Sequence, residues 1–293
     1  MCPIFDQESA NAAIALARIS FHEDLRDVGD VTCLATIPPN LHATVQIVSR
    51  EFGVVSGLPL IPIVFREFSS DVNVVVPVND GDRINRGTVV ASLTGSVRAL
   101  LTGERTILNF MNHLSGIASR TAQFVDAIAG TGACILDTRK TLPGYRALQK
   151  YAVRCGGGKN HRMGLYDGVL IKDNHLAARG DSACASAVAD ARRYMITSGR
   201  NTSIEIEVDT LEQLLDALKE NPEIVLLDNM STQQLREAVA LRDQNCPTTL
   251  LEASGGITLQ TVRSVAETGV ERISIGGLTH SSPALDLGFD WPW

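Results

Sequence analysis

The sequence predicts an α/β protein in two parts: a short antiparallel sheet carrying a helix, then an α/β barrel of βα repeats that stops short of closure. Three observations predict it. Beyond Gly130 six apolar runs alternate with helical patterns, the ends of those runs carry polar or glycine residues, and before Gly130 the strands are short and joined by local turns. A length of 293 residues allows one large domain or two unequal ones.

From Glu8 to Arg26, Ala12, Ala15, Leu16 and Ile19 recur at helical spacing until Asp27-Val-Gly-Asp30 breaks the pattern, so one amphipathic helix opens the chain. Strands are expected at His42 to Ser49, Asp71 to Pro77 and Thr88 to Thr94, with turn chemistry at Asn79-Asp-Gly-Asp82. Val97 to Ala129 reads as two helical stretches joined near His113 to Gly116, carrying the chain into the second part. The later strands are Ala133 to Asp137, Gly168 to Lys172, Ser203 to Glu207, Glu223 to Asp228, Thr249 to Ala253 and Arg272 to Gly276. Helical patterns at Ala183 to Ser198, Leu211 to Glu220, Gln233 to Asp243 and Leu259 to Thr268 separate them, which makes the strands parallel. No G-x-G-x-x-G follows the first strand, so a barrel is favoured over an open dinucleotide-binding sheet, and six strands leave it two short of eight.

Hydrophobic residues at 44% and charged residues at 20% exclude a disordered or fibrous chain. A formal charge of −7 argues against nucleic acid or an anionic membrane as a general partner. The N-terminal stretch lacks a basic, apolar leader pattern and no segment approaches a membrane span, so the chain reads as a mature cytoplasmic protein. Six scattered cysteines without a C-x-x-C pair signal neither a disulfide framework nor a zinc site.

Against this acidic background, the stretch from Arg139 to Asp173 holds eight basic residues and only Asp167 and Asp173 as acids. A cationic focus in an acidic protein suits a multiply charged anion. Lys150 and Arg154 share helical spacing with Arg146 and read as a solvated helix face, whereas Arg139, Lys140 and Lys172 terminate apolar strands. Arg139, His161, Arg162 and Lys172 together can hold two carboxylates, the arginines through their planar forks. Glu207 and Asp228, at two strand ends, can hold Mg²⁺ through carboxylate oxygens and waters, or bind sugar hydroxyls. Glu205 lies on the same strand face as Glu207, and only its position farther from the carboxyl end disfavours it. Ser254-Gly-Gly256 and Ile275-Gly-Gly277 in neighbouring loops match the phosphate site common in βα barrels. A phosphate, a metal and a cationic carboxylate pocket point to a phosphorylated sugar reacting with an acid.

Asp137-Thr-Arg-Lys-Thr-Leu-Pro-Gly144, Lys150-Tyr-Ala-Val-Arg-Cys-Gly-Gly-Gly158, Asn160-His-Arg162, Leu170-Ile-Lys-Asp-Asn-His175, Glu205-Ile-Glu-Val208, Leu227-Asp-Asn229, Glu252 to Ile257 and Ser274 to Gly277 carry a resemblance along essentially the whole chain. Gly103-Glu-Arg-Thr106, Asn109-Phe110 and Leu114 to Ala118 extend it into the first part. The chain resembles the quinolinate phosphoribosyltransferase family. The resemblance implies a type II phosphoribosyltransferase fold: an N-terminal α/β sandwich domain over residues 1–114, an open α/β barrel over 115–280, and a tail, 281–293, that returns to the first domain. It further implies a homodimer, or a larger assembly built on it, in which Arg105 of one subunit reaches the neighbour's quinolinate. Thr138, Arg139, His161, Arg162 and Lys172 would surround that substrate. Lys140, Glu207, Asp228 and Mg²⁺ would meet phosphoribosyl pyrophosphate, with Ser254, Gly255, Gly256, Ile275, Gly276 and Gly277 at its 5′-phosphate.

Three other readings compete. Lys172 at a barrel strand end is where a Schiff-base lyase places its lysine. A carrier module would fit the hairpin around Val78 to Val90, but residues 27–96 contain no lysine to modify. A nicotinate phosphoribosyltransferase would need fewer cations than the four or five donors assembled for the acid.

Overall fold

The computed structural model describes residues 3–68, 72–180 and 183–292; of the features expected above, Asp71 lies outside them. In chain order the elements are α1 (Gln7–Leu25), α2 (Val31–Thr36), β1 (His42–Ser49), β2 (Gly53–Val54), α3 (Leu60–Arg66), β3 (Val72–Val75), β4 (Arg83–Ile84), β5 (Val89–Ser96) and α4 (Val97–Ala127). There follow β6 (Cys134–Leu136), α5 (Arg146–Cys155), β7 (Val169–Ile171), α6 (Asp173–Arg179), α7 (Cys184–Ser198), β8 (Ile204–Val208), α8 (Leu211–Leu218), β9 (Ile224–Asp228), α9 (Thr232–Asn245), β10 (Leu250–Ser254), α10 (Val262–Ala266), β11 (Arg272–Ser274), α11 (Gly277–His280) and β12 (Leu287–Asp290). They form two compact units. One takes the chain through Ala122, Lys140–Gly158 and the segment from Gly277 on; the other takes Gln123–Arg139 and Lys159–Gly276.

The first unit is built on an antiparallel sheet in the order β12-β1-β5-β3. The tail joins it directly, Leu287 pairing with Ser49 and Asp290 with Gln46. Alternation along β1 and β5 sends Val45, Ile47, Ala91 and Leu93 into the core. Helix α1 starts at Asp6, whose carboxylate accepts the Ser9 N–H at 2.8 Å, an N-cap that satisfies one of the four donors a helix leaves open. The buried carboxylate of Asp80 accepts the Gly57 and Leu58 N–H groups at 3.0 and 3.1 Å and the Tyr151 hydroxyl at 2.6 Å.

Two expectations for this unit are corrected. Val97–Ala127 is one continuous helix, not two stretches joined near Gly116. Gly116 sits inside it because the tail passes so close that a Cβ there would overlap the Pro283 carbonyl oxygen and lie 2.9 Å from Ala284 Cα. Close approach, and not a break, is what the glycine serves. Lys150 is the second correction: it lies on the packed side of α5 and is fully buried, so the solvated basic face does not include it. Arg154, on the same helix, donates to the Ile4 carbonyl at 3.1 Å.

The second unit is a six-stranded sheet in the order β6-β11-β10-β9-β8-β7, with every pairing parallel. Strands β6 and β7 are its two edges, so the barrel is open, as the count of six predicts. Helices cover parallel strands, so the strands read as continuous apolar runs: all of Ile224 to Leu227 is buried. Because the strands are parallel, their carboxyl ends lie on one side, and Asp137, Lys172, Glu207, Asp228, Ser254 and Ile275 come from those ends.

Candidate active site

The cationic side is organised by a buried acid. Asp137 follows β6 and is fully buried; its Oδ1 accepts the His161 N–H at 2.9 Å and its Oδ2 accepts Asn160 Nδ2 at 2.5 Å. Lys159 runs alongside β6, its N–H donating to the Ile135 carbonyl at 2.8 Å, so residues 159–161 are pinned as an extension of the sheet. This delivers Arg162 to the same strand end as Thr138 and Arg139. Arg162 donates through Nη1 to the Gly168 carbonyl at 3.0 Å, but its Nε, like that of Arg139, is buried with no hydrogen-bond partner. Burial first, and then the charge of Arg139, pull Arg162 below the ordinary guanidinium value. Two neighbouring guanidiniums with buried, unused N–H groups are costly unless an anion completes the site.

Lys172 precedes α6, where its N–H donates to His175 Nδ1 at 2.9 Å, and its ammonium forms an ion pair with Glu207 Oε2. Lys172 is therefore held on a carboxylate and not in the apolar carbonyl site that a Schiff-base lysine needs. Glu207, one residue before the end of β8, is the neighbour across the sheet of Leu226, two residues before Asp228 at the end of β9. Asp228 accepts its neighbour Asn229 Nδ2 at 2.6 Å through Oδ2. Each carboxylate thus spends one oxygen and retains a second, and hard oxygen donors on adjacent strand ends fit Mg²⁺.

Beneath the cationic side lies a cluster that sequence reasoning did not assign. His161 Nε2 stands 3.1 Å from Glu205 Oε2 and 3.5 Å from Glu252 Oε1, and Arg272 Nε donates to Glu252 Oε2 at 2.7 Å. Glu205 and Glu252 are both buried. Burial and then the Glu205 charge push the Glu252 carboxyl above the usual carboxylate range, against the pull of His161 and Arg272. Burial opposes a charge on His161, but Glu205 and then Glu252 outweigh it and raise the affinity of the ring for a proton. The three ligand-type atoms lie within 4.8 Å of one another. The signal for Glu252 was legible as an acid in the middle of the apolar run Leu250-Leu-Glu-Ala253; that for Glu205 was its shared face with Glu207.

The carboxyl ends of β10 and β11 are glycine-rich. Asp228 and Ser254 are register partners, and the Asn229 N–H donates to the Ser254 carbonyl at 2.9 Å. Gly255, with φ +97°, follows: a Cβ there would overlap Asn229 Oδ1 and lie 2.9 Å from Asn229 N. Gly256, at φ +58°, faces open space. Ile275 is buried and its N–H donates to the Leu136 carbonyl at 2.9 Å, which leaves Gly276 at the end of the unit.

Three of the expected residues fall in the first unit. Arg105 is exposed on α4. Lys140 is exposed, and its carbonyl accepts the Thr279 hydroxyl at 2.7 Å. Gly277 opens the short helix α11. The glycine run Gly156 to Gly158 ends α5, with Gly156 and Gly158 packed tightly against Thr121 on α4.

Two family models cover most of the chain: quinolinate phosphoribosyl transferase N-terminal domain over residues 30–115, and the C-terminal domain of the same family over residues 117–290. A nicotinate-nucleotide pyrophosphorylase (carboxylating) of Mycobacterium leprae is 48% identical over 96% of this chain and 97% of its own. The structure of the nicotinate-nucleotide pyrophosphorylase from Francisella tularensis superposes with a TM-score of 0.87 at 35% identity, covering 96% of each chain. Human nicotinic acid phosphoribosyltransferase shares only the fold, at 15% identity and a TM-score of 0.55 over 95% of this chain and 73% of its own.

Proposed function

The chain belongs to the quinolinate phosphoribosyltransferase family, and on that premise we propose how its residues divide the reaction. The enzyme transfers the phosphoribosyl group of phosphoribosyl pyrophosphate to the ring nitrogen of quinolinate, with loss of CO₂, giving nicotinate mononucleotide and pyrophosphate for NAD biosynthesis. The observation that carries the reading is the pair Arg139 and Arg162, each with a buried Nε lacking a partner, set beside the end of β6, with Lys172 at the end of β7, the next strand in the chain. Such a site is completed by a dicarboxylate.

Arg139, Arg162 and Lys172 meet the two carboxylates, with Thr138 and His161 beside them and Arg105 supplied by the second subunit of a homodimer. Ser254, Gly255, Gly256, Ile275, Gly276 and Gly277 receive the 5′-phosphate through backbone N–H groups. Glu207 and Asp228 face the ribose, where positive charge develops as the bond to pyrophosphate breaks, and Lys140 takes the departing negative charge. Glu207 and Asp228 would hold Mg²⁺ directly or through water, and the ion would supply neutralisation of the pyrophosphate charge. The nitrogen becomes cationic on gaining ribose, so the electron pair left on the adjacent ring carbon as CO₂ departs is stabilised as an ylide until that carbon takes a proton from water, and the protein's part there is to orient and desolvate. No helix among the described residues is long and apolar enough to cross a membrane.

Incubation with Mg²⁺, phosphoribosyl pyrophosphate and quinolinate is expected to yield nicotinate mononucleotide and one CO₂ per nucleotide, with nicotinate in a parallel tube inert. Turnover of nicotinate, or nucleotide without CO₂, would refute the proposal. The shared site has its own test: subunits carrying Arg105→Ala mixed with subunits carrying Arg139→Ala are expected to recover up to about a quarter of parent activity, because half the dimers are mixed and each restores one of two sites. No recovery after verified exchange of subunits would place Arg105 outside its neighbour's site.

A further inference from the structure

His161 has both ring nitrogens engaged by the protein. Its Nε2 faces Glu205 at 3.1 Å and Glu252 at 3.5 Å, and the Arg162 backbone N–H donates to its Nδ1 at 2.7 Å. A backbone amide always carries its proton, so Nδ1 must offer a lone pair, and the ring proton belongs on Nε2 between the carboxylates. A second proton on Nδ1 would set two donors head-on. Glu205 and Glu252 favour a charged ring, but burial opposes the charge and the Arg162 amide, which cannot accept, excludes a proton from Nδ1, so the single ring proton stays on Nε2.

We propose that His161 is a positioning residue for quinolinate and not a donor to it: as the neutral Nε2–H tautomer it ties the buried Glu205, with Glu252 beside it, to the main chain of Arg162 and so fixes where that guanidinium stands. This rests on the reading of the site as a quinolinate site, and it adds Glu205 and Glu252 to the machinery although neither meets substrate. The anchoring is double. Asp137 holds the main chain of His161, and Arg272 holds Glu252 in turn. Rigid anchoring is needed here because Arg162 is kept beside Arg139 with its Nε unpaired, an arrangement that the two side chains would relax if they were free to move.

The direct test is ¹⁵N NMR of the intact enzyme with ring-labelled histidine, the His161 signals being those lost in His161→Asn. A bare Nδ1 and a protonated Nε2 are expected, both alone and with quinolinate added in the absence of phosphoribosyl pyrophosphate. A proton on Nδ1, or conversion to imidazolium when quinolinate binds, would overturn the proposal. Kinetics give a second readout. Glu205→Leu is expected to raise KM for quinolinate about tenfold while kcat and KM for phosphoribosyl pyrophosphate change by about twofold or less, and Glu205→Gln, which keeps an acceptor for Nε2–H, is expected to recover most of that loss. Equal KM values in all three enzymes would overturn it as well. If quinolinate is neither bound nor turned over by the parent enzyme, the functional reading itself falls, an outcome distinct from a wrong tautomer with normal turnover.

Discussion

Arg139→Ala is expected to lower kcat/KM for quinolinate by about 100- to 1000-fold, the loss of two charge-assisted hydrogen bonds at ~1.5 to 3 kcal/mol each with some compensation by neighbours. KM for phosphoribosyl pyrophosphate should stay within a few-fold of the parent, because the glycine loops after β10 and β11 do not depend on this side chain. Arg139→Lys should fall between the two, since an ammonium keeps the charge but loses the fork. The variant should also melt at an equal or higher temperature than the parent. Its Nε is buried without a partner and its charge opposes that of Arg162, so the folded protein holds Arg139 at a cost that only the substrate repays. Steady-state kinetics and a thermal melt on the same preparation check both. A loss of under threefold, or a marked fall in melting temperature, would mean that Arg139 serves the fold and not the acid.

The second large effect concerns the phosphate side. Gly255→Ala is expected to raise KM for phosphoribosyl pyrophosphate at least tenfold and to destabilise the fold by about 1 to 3 kcal/mol, the usual cost of a side chain forced into a sparsely populated backbone region. Its φ of +97° is one source, and the overlap of a new Cβ with Asn229 Oδ1 is the other. Asn229 cannot yield easily, because its own N–H is bonded to the Ser254 carbonyl and its side chain donates to Asp228. The strain should therefore reach Asp228. Gly256→Ala is the control: it meets nothing within 4 Å, and at φ +58° its effect should be the smaller of the two. Binding of quinolinate, followed by calorimetry, should be nearly unchanged in both. A Gly255→Ala enzyme with the parent's KM for phosphoribosyl pyrophosphate would remove this loop from the phosphate site.

Where sequence reasoning fell short, the missing quantity was the distance between remote segments. Gly116 looked like a helix break because glycine is a poor helix former, and the segment that needs its small size, Pro283 to Ala284, lies far along the chain. Lys150 looked solvated because its spacing matched Arg146 and Arg154, and periodicity identifies a face without saying what covers it. Glu205 and Glu207 shared a face by alternation, but only the fold shows that the first turns to His161 and the second to Lys172.

The class of fold, the six parallel strands, their order of appearance and the residues at the strand ends are all legible in the amino-acid sequence. Apolar runs, turn residues and helical spacing are local signals, and in a parallel sheet a position near a run's end is enough to assign a residue to the mouth. How those ends are wired emerges with folding: the ion pair of Lys172 with Glu207, the acids beside His161, and the two arginines left with unused donors. Hydrogen bonds and ion pairs act over about 3 to 4 Å, a scale on which residues separated by 23 to 91 positions meet only after the chain has folded.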